Sequence, residues 1–355
     1  MTHPVPIFDG HNDVLLRLMH KGDHAAGAKA FLEGTDKGHL DLPRARQGGF
    51  TGGLFAVFCP PIERAASVEE LMRGAGYDVP LPAGLALTDA QQAAIAMIAG
   101  LFRIERASKG GVRICRSAGD IDRAGDAGAL AAVLHIEGAE PIDADFRMLD
   151  ILYQAGLRSI GPVWSRSNIF GHGVPFRFPS SPDTGPGLTD AGKALVRACN
   201  ELKVLVDLSH LNEKGFWDVA KLSDAPLVAS HSNAHAVSPH SRNLTDDQLR
   251  AIRDSGGLVG INYATSFLRE DGRMNADTPL EALVRHADHL IGILGPDGVG
   301  LGSDFDGAVI PAALGDVAGL PKLVEAFRAG GYDEESIQKI CRANWVSVLR
   351  RTWGG

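Results

Sequence analysis

Histidines and carboxylates stand at the ends of apolar runs in this sequence, where a metal-dependent enzyme needs them. His11 and Asp13 close the first such run. Two apart in extended backbone, they project from one face and can share a cation, although an isolated His-x-Asp pair also fits an N-terminal turn. His210 ends Val-Leu-Val-Asp-Leu-Ser-His, and His231 ends Leu-Val-Ala-Ser-His; a buried strand that delivers a terminal imidazole can hold zinc. Glu137 ends Val-Leu-His-Ile-Glu. A carboxylate leaving an apolar strand is costly to bury unless it is paired or ligates a metal. One Glu between two groups of ligands suits a bridge between cations roughly 3.5–4 Å apart. Asp304 and Asp306 follow the last apolar run in Gly-Ser-Asp-Phe-Asp-Gly. Either can take a proton from an attacking water and pass it to a leaving amine. In a regular strand both face the same way, so spacing does not choose between them, and a turn before Gly307 is a further use for such a residue.

Side chains scattered this widely need a scaffold that gathers strand ends. Strand-like runs occupy residues 5–9, 53–58, 130–136, 159–163, 204–208, 227–230, 257–261 and 298–302. Helix-like stretches follow most of them, at 88–108, 145–155, 189–202, 213–222, 246–255 and 279–294, with a C-terminal pair starting near 320 and 333. Thr88, Thr189 and Thr245 each precede an Asp and a helix-forming run, so all three read as N-caps. Strands alternating with helices predict an α/β fold, a closed parallel (β/α)8 TIM barrel. A doubly wound open sheet is the runner-up, but no G-x-G-x-x-G follows the first strand. The chain reads as one domain, 1–355, with long connections at 60–87 and 165–188. Both follow strand ends, where barrel enzymes place their active-site loops.

Composition narrows the partners. The 355 residues carry 35 Lys and Arg against 43 Asp and Glu, a net charge of −8 with no long basic block. Nucleic acid is therefore not expected. Cys59, Cys115, Cys199 and Cys341 lie far apart with no metal-ligand spacing, and read as reduced, buried thiols. No secretory leader is visible and no apolar stretch reaches the ~20 residues of a membrane helix. The expected setting is the cytoplasm.

Taken together, Asp9-Gly-His-Asn-Asp13, His135-Ile-Glu-Gly138, Asp207-Leu-Ser-His210, the run Ser230 to Asn243 and Gly302-Ser-Asp-Phe-Asp-Gly307 resemble the membrane (renal) dipeptidase family of zinc peptidases. The likeness extends from residue 9 to Asn344. It implies an amidohydrolase-like barrel that binds two zinc ions, cleaves dipeptides and tolerates a D-residue at the C-terminal position. By motif, His11 and Asp13 would ligate one zinc, His210 and His231 the other, and Glu137 would bridge them. Arg242 resembles the family's substrate-binding arginine, and a fixed guanidinium suits a peptide carboxylate. Asp304 resembles the proton-transferring carboxylate, a choice made by resemblance. A homodimer is a further implication.

One departure stands out. After its fourth strand the mammalian-type family has a Thr-His pair whose His contacts substrate, and here Trp164 occupies that place, with Arg166 and His172 later in the same loop. Trp164 and His172 are therefore candidate substrate-binding residues. His135 shares a strand face with Glu137 but reads as a supporting or core histidine. His235 and His240 read as loop hydrogen-bonding groups, and His3, His20, His24, His39, His286 and His289 carry no spacing signal. The alternatives are another amidohydrolase activity, such as a deaminase or lactonase, and a non-catalytic metal-binding barrel. The first commonly opens with H-x-H and uses a strand-four Lys, absent from residues 159–163.

Overall fold

The computed structural model describes residues 4–19, 24–61 and 68–354; His3, His20 and part of the first long connection lie outside them. Eight strands make the barrel: β1 Ile7–Asn12, β2 Phe50–Phe58, β3 Leu130–Glu137, β4 Leu157–Gly161, β5 Leu205–Val206, β6 Val228–Ala229, β7 Leu258–Asn262 and β8 Val299–Gly302. They pair in parallel in the order β5-β4-β3-β2-β1-β8-β7-β6, and a parallel bridge between Asp207 and Val228 joins the two ends. This is the expected TIM barrel.

The barrel floor is apolar. Phe8, Leu54, Val133, Leu205, Val228 and Leu258 point inward around Trp345, which is fully buried and comes from the C-terminal helix Asn344–Trp353. Its indole Nε1 donates to the Leu301 carbonyl at 2.8 Å. A methyl group at Gly10, Gly260 or Gly300 would run into the indole, so three strands make room for one ring by carrying no side chain there. A second apolar shell lies between the strands and the helices that follow them, among them Leu87–Ala107, Asp190–Leu202 and Glu281–Leu294.

Two of the three expected threonine caps are present. The Thr189 and Thr245 hydroxyls accept from the third helical N–H, Thr245 in a full capping box with Gln248. Thr88 is not a cap: its helix starts one residue earlier, after Ala86, with no side-chain cap bond. Several elements lie outside those expected from the sequence, including the helices Val14–Met19, Leu42–Gly48 and Ala118–Asp126 and a short strand Val112–Ile114 beside β3.

The two long connections are also not plain insertions. Residues Tyr77–Asp78 of the first pair antiparallel with Arg177–Phe178 of the second. Around this small sheet Met72, Tyr77, Val79, Phe178, Ala264 and Phe267 form an apolar cluster of their own. No helix among the described residues is long and apolar enough to cross a membrane.

Candidate metal centre

The strand ends bring the polar residues together in the barrel mouth. β1 reaches it through a register shift between Asp9 and Asn12. Below the shift Phe8 and Gly10 face the floor, and above it His11 and Asp13 face the mouth, a change of parity that a regular strand cannot make. His11 Nε2 lies 3.4 Å from Asp13 Oδ2 and 3.7 Å from Glu137 Oε2. Across the same carboxylate, Glu137 Oε1 is 2.9 Å from His210 Nε2 and 3.3 Å from His231 Nε2. Glu137 thus turns one oxygen to each half of the site. Ligand atoms of His11, Glu137 and His231 lie within 4.8 Å of one another, as do those of His11, Asp13 and Asp304.

Hydrogen bonds around the cluster decide which atoms can donate electrons. The Ser230 hydroxyl gives its proton to Asp207 Oδ2 at 2.5 Å. It must therefore accept from His231 Nδ1–H at 2.7 Å, which leaves Nε2 of His231 as a lone pair. The Ser165 hydroxyl meets His210 Nδ1 at 2.8 Å, where it can accept a hydrogen bond in the same way. Two imidazole Nε2 atoms then stand 3.1 Å apart beside a carboxylate oxygen. Electron pairs converging on one point repel unless a cation lies between them.

Charge and burial give the same answer. Burial pushes His210 and His231 well below the usual histidine range, aided by Arg242 and neighbouring imidazoles, so both rings are neutral. Burial pushes Glu137 well above the usual carboxylate range against the attraction of His11, and raises Asp304. Burial alone would lower His11, but the carboxylates Glu137, Asp13 and Asp304 outweigh it and lift the ring to about 10. Both His11 ring nitrogens and Asp13 Oδ1 are buried with no hydrogen-bond partner. Neutral imidazoles, crowded carboxylates and unpartnered donor atoms fit divalent cations.

Asp304 and Asp306 separate clearly. β8 ends at Gly302, and both aspartates take left-handed backbone, with φ of 59° and 69°, so the alternation expected of a strand does not hold. Asp304 faces His11 and Asp13, with Oδ2 accepting from Asn262 Nδ2 at 3.0 Å. Asp306 turns away, to Arg17 Nε at 3.0 Å and the His39 backbone N–H at 2.6 Å. A Cβ at Gly307 would strike both the Asp13 and Asp304 carboxylates, so only glycine lets the chain pass there.

Arg242 is buried beside the second half of the site. Its guanidinium donates to the His231 carbonyl at 3.1 Å and to Ser232 Oγ at 3.3 Å, and stands 5.5 Å over the Phe267 ring. Its Nε has no partner. Trp164 lies 5.8 Å from the His210 ring and 4.9 Å from Phe58. Arg166 is fully buried against Glu140 at 2.9 Å and the Cys59 carbonyl at 2.9 Å, which commits it to the wall behind Trp164. The His172 ring meets Ser167 Oγ at 3.2 Å within its own loop, with no described contact to the cluster. His135 packs edge-on against His11, its ring bonded to Ser159, and His235 bonds the Ser180 carbonyl. His240 accepts from the Arg242 backbone N–H at 3.0 Å.

Sequence reading passed over Ser165, Asp207, Ser230 and Asn262, which orient the donors. A signal did exist for one of them: Ser230 directly precedes a strand-end histidine, in Ala-Ser-His231. Asp9 was overlooked too; it accepts from the Ser303 N–H and hydroxyl at 2.7 and 2.8 Å and ties β1 to β8.

Comparison with known proteins matches residues 1–353 to the model of the membrane dipeptidase family, peptidase family M19. A metallo peptidase from Rhodobacter sphaeroides, solved with a phosphinate mimic of the dipeptide L-Ala-D-Ala, is 54% identical with a TM-score of 0.97, covering 99% of this chain and 100% of that one. The dipeptidase AC, also of family M19, is 54% identical with a TM-score of 0.96, covering 99% of each chain. A Klebsiella pneumoniae protein from the pqqA 5′ region is 56% identical over 246 residues, 69% of this chain and 91% of its own length.

Proposed function

The chain belongs to the membrane dipeptidase family, peptidase family M19, and is a metal-dependent dipeptidase; from that premise we propose that it works with two zinc ions in the barrel mouth. His11 and Asp13 would hold one, His210 and His231 the other, and Glu137 would serve both through its two oxygens. The observation that carries this reading is the lone pair of His231 Nε2, fixed by Ser230, meeting His210 Nε2 and Glu137 Oε1 within 3.3 Å. Bound there, the ions would supply Lewis acidity and bring the pKa of water toward neutrality.

The chain's own groups do the rest. Arg242 pairs with the free carboxylate of the substrate and so restricts it to short peptides. Asp304, half-buried with Oδ2 anchored by Asn262, takes at Oδ1 the proton released by the attacking water and hands it to the amine nitrogen as the C–N bond breaks. Because the clamp grips the carboxylate and not the side chain, a D-residue at the C-terminal position is accepted, in keeping with the mimic bound by the Rhodobacter sphaeroides relative. Family membership leaves the deaminase, lactonase and non-catalytic alternatives without support. The four cysteines are free and buried, which suits a reducing, cytoplasmic setting.

The test pairs metal analysis with a dipeptide panel that includes L-Ala-D-Ala, assayed with and without chelator. We expect two zinc ions per chain and cleavage that chelation abolishes. One ion per chain would remove the bridging role of Glu137.

A further inference from the structure

The rings beside the metal centre form a continuous arc. Phe58 lies 4.9 Å from Trp164, Trp164 lies 5.7 Å from Phe176, and Phe176 lies 5.8 Å from Phe267. The arc starts next to Glu137, whose register partner on β2 is Phe58, and ends under the Arg242 guanidinium at Phe267. Phe58 and Phe267 are buried, whereas Trp164 and Phe176 are partly exposed. Large apolar surface left open beside a polar cluster is what a substrate side chain covers.

Resting on the dipeptidase reading, we propose that Phe176, backed by Trp164, is the specificity-determining wall for the C-terminal residue of the substrate and favours an apolar side chain there. The argument is one of bracketing. With the carboxylate on Arg242 and the scissile carbonyl at Glu137 and His210, the C-terminal residue spans the gap between them. Phe176 flanks that gap, 6.3 Å from the His210 ring on one side and 5.8 Å from Phe267 on the other. Its position is built in: the next residues, Arg177–Phe178, pair with Tyr77–Asp78, and the Arg177 N–H donates to Ser241 Oγ at 3.0 Å, one residue before Arg242. Wall and clamp are therefore tied together. The charged Asp13 and Asp304 lie with His11, on the other side of Glu137 from His210, so the two substrate residues meet surfaces of opposite character.

The test compares kcat/KM for L-Ala-D-Leu and L-Ala-Gly. The zinc-loaded enzyme should prefer the leucine substrate, and Phe176→Ala should cut the ratio of the two by roughly tenfold, at the low end for lost apolar contacts in a pocket. Phe176→Leu, which keeps apolar volume, should restore most of the ratio. If Phe176→Ala fails to retain metal, Trp164→Ala is read on the same ratio, with a smaller fall expected in the same direction. Equal losses on both substrates, or no preference in the wild type, would overturn the wall. Cleavage of neither substrate would overturn the dipeptidase reading, and this inference with it.

Discussion

The two ends of the barrel solve opposite problems with the same strands. On the floor, six inward side chains and Trp345 fill the space, glycines yield where the indole needs room, and its one polar atom is bonded. That region is complete as a piece of protein. In the mouth, equally buried imidazole nitrogens and carboxylates are crowded together and several polar atoms are without partners. His210 and Asp304 also hold left-handed backbone there, a conformation that costs roughly 1 kcal/mol or more for a residue with a side chain. The contrast teaches where stability is made and where it is spent: the floor holds the fold, and the mouth carries groups that a bound cation would complete.

Mutations at each end should therefore differ in kind. Asp304→Asn should lower kcat by ~10²–10⁴-fold, the usual worth of a placed proton donor, with two metal ions still present; activity close to wild type would move the proton to another group. Trp345→Ala should do the reverse, destabilising the fold by ~3–5 kcal/mol through the cavity it leaves, read in chemical denaturation, while the folded fraction keeps its metal content. Ser230→Ala should leave the fold intact and weaken metal binding by roughly 10–100-fold, since the hydroxyl fixes the His231 tautomer; equilibrium dialysis against a competing chelator measures it.

The smallest expected effect is in pH dependence. His11 is raised from 6.5 to about 10 in the metal-free protein. A raised histidine stabilises the fold below 6.5, and that contribution is lost as pH climbs through about 10. Glu137, raised by burial, acts in the same direction, because its ionisation is resisted only in the folded state. The metal-free protein should melt at progressively lower temperature between pH 6.5 and 10, and the metal-loaded protein should not show this decline, a difference seen by scanning calorimetry in matched buffers.

Much of this was legible before the fold was known, and for a physical reason. An apolar run ending in His or Glu marks a strand end, and a barrel gathers all strand ends at one rim. His11, Asp13, Glu137, His210, His231, Arg242 and Asp304 could be gathered on that basis and by resemblance. What stayed hidden depends on departures from regularity. The register shift in β1 and the left-handed turn at Asp304 and Asp306 break the period of two on which strand reading rests. The small sheet joining the two long connections pairs residues a hundred apart, and no local pattern encodes such a partner. Trp345 lies near the chain end in a stretch that reads only as helix, although its role is to plug the barrel.

That plug has a consequence in time. The ring that fills the floor belongs to residue 345 of 355, and the glycines at 10, 260 and 300 leave a hole until it arrives. A ribosome adds roughly 5–20 residues per second, so all the proposed metal ligands are made seconds before the residue that closes the barrel beneath them. A floor closed by a residue made after all of those side chains completes its packing only once that residue has been synthesised.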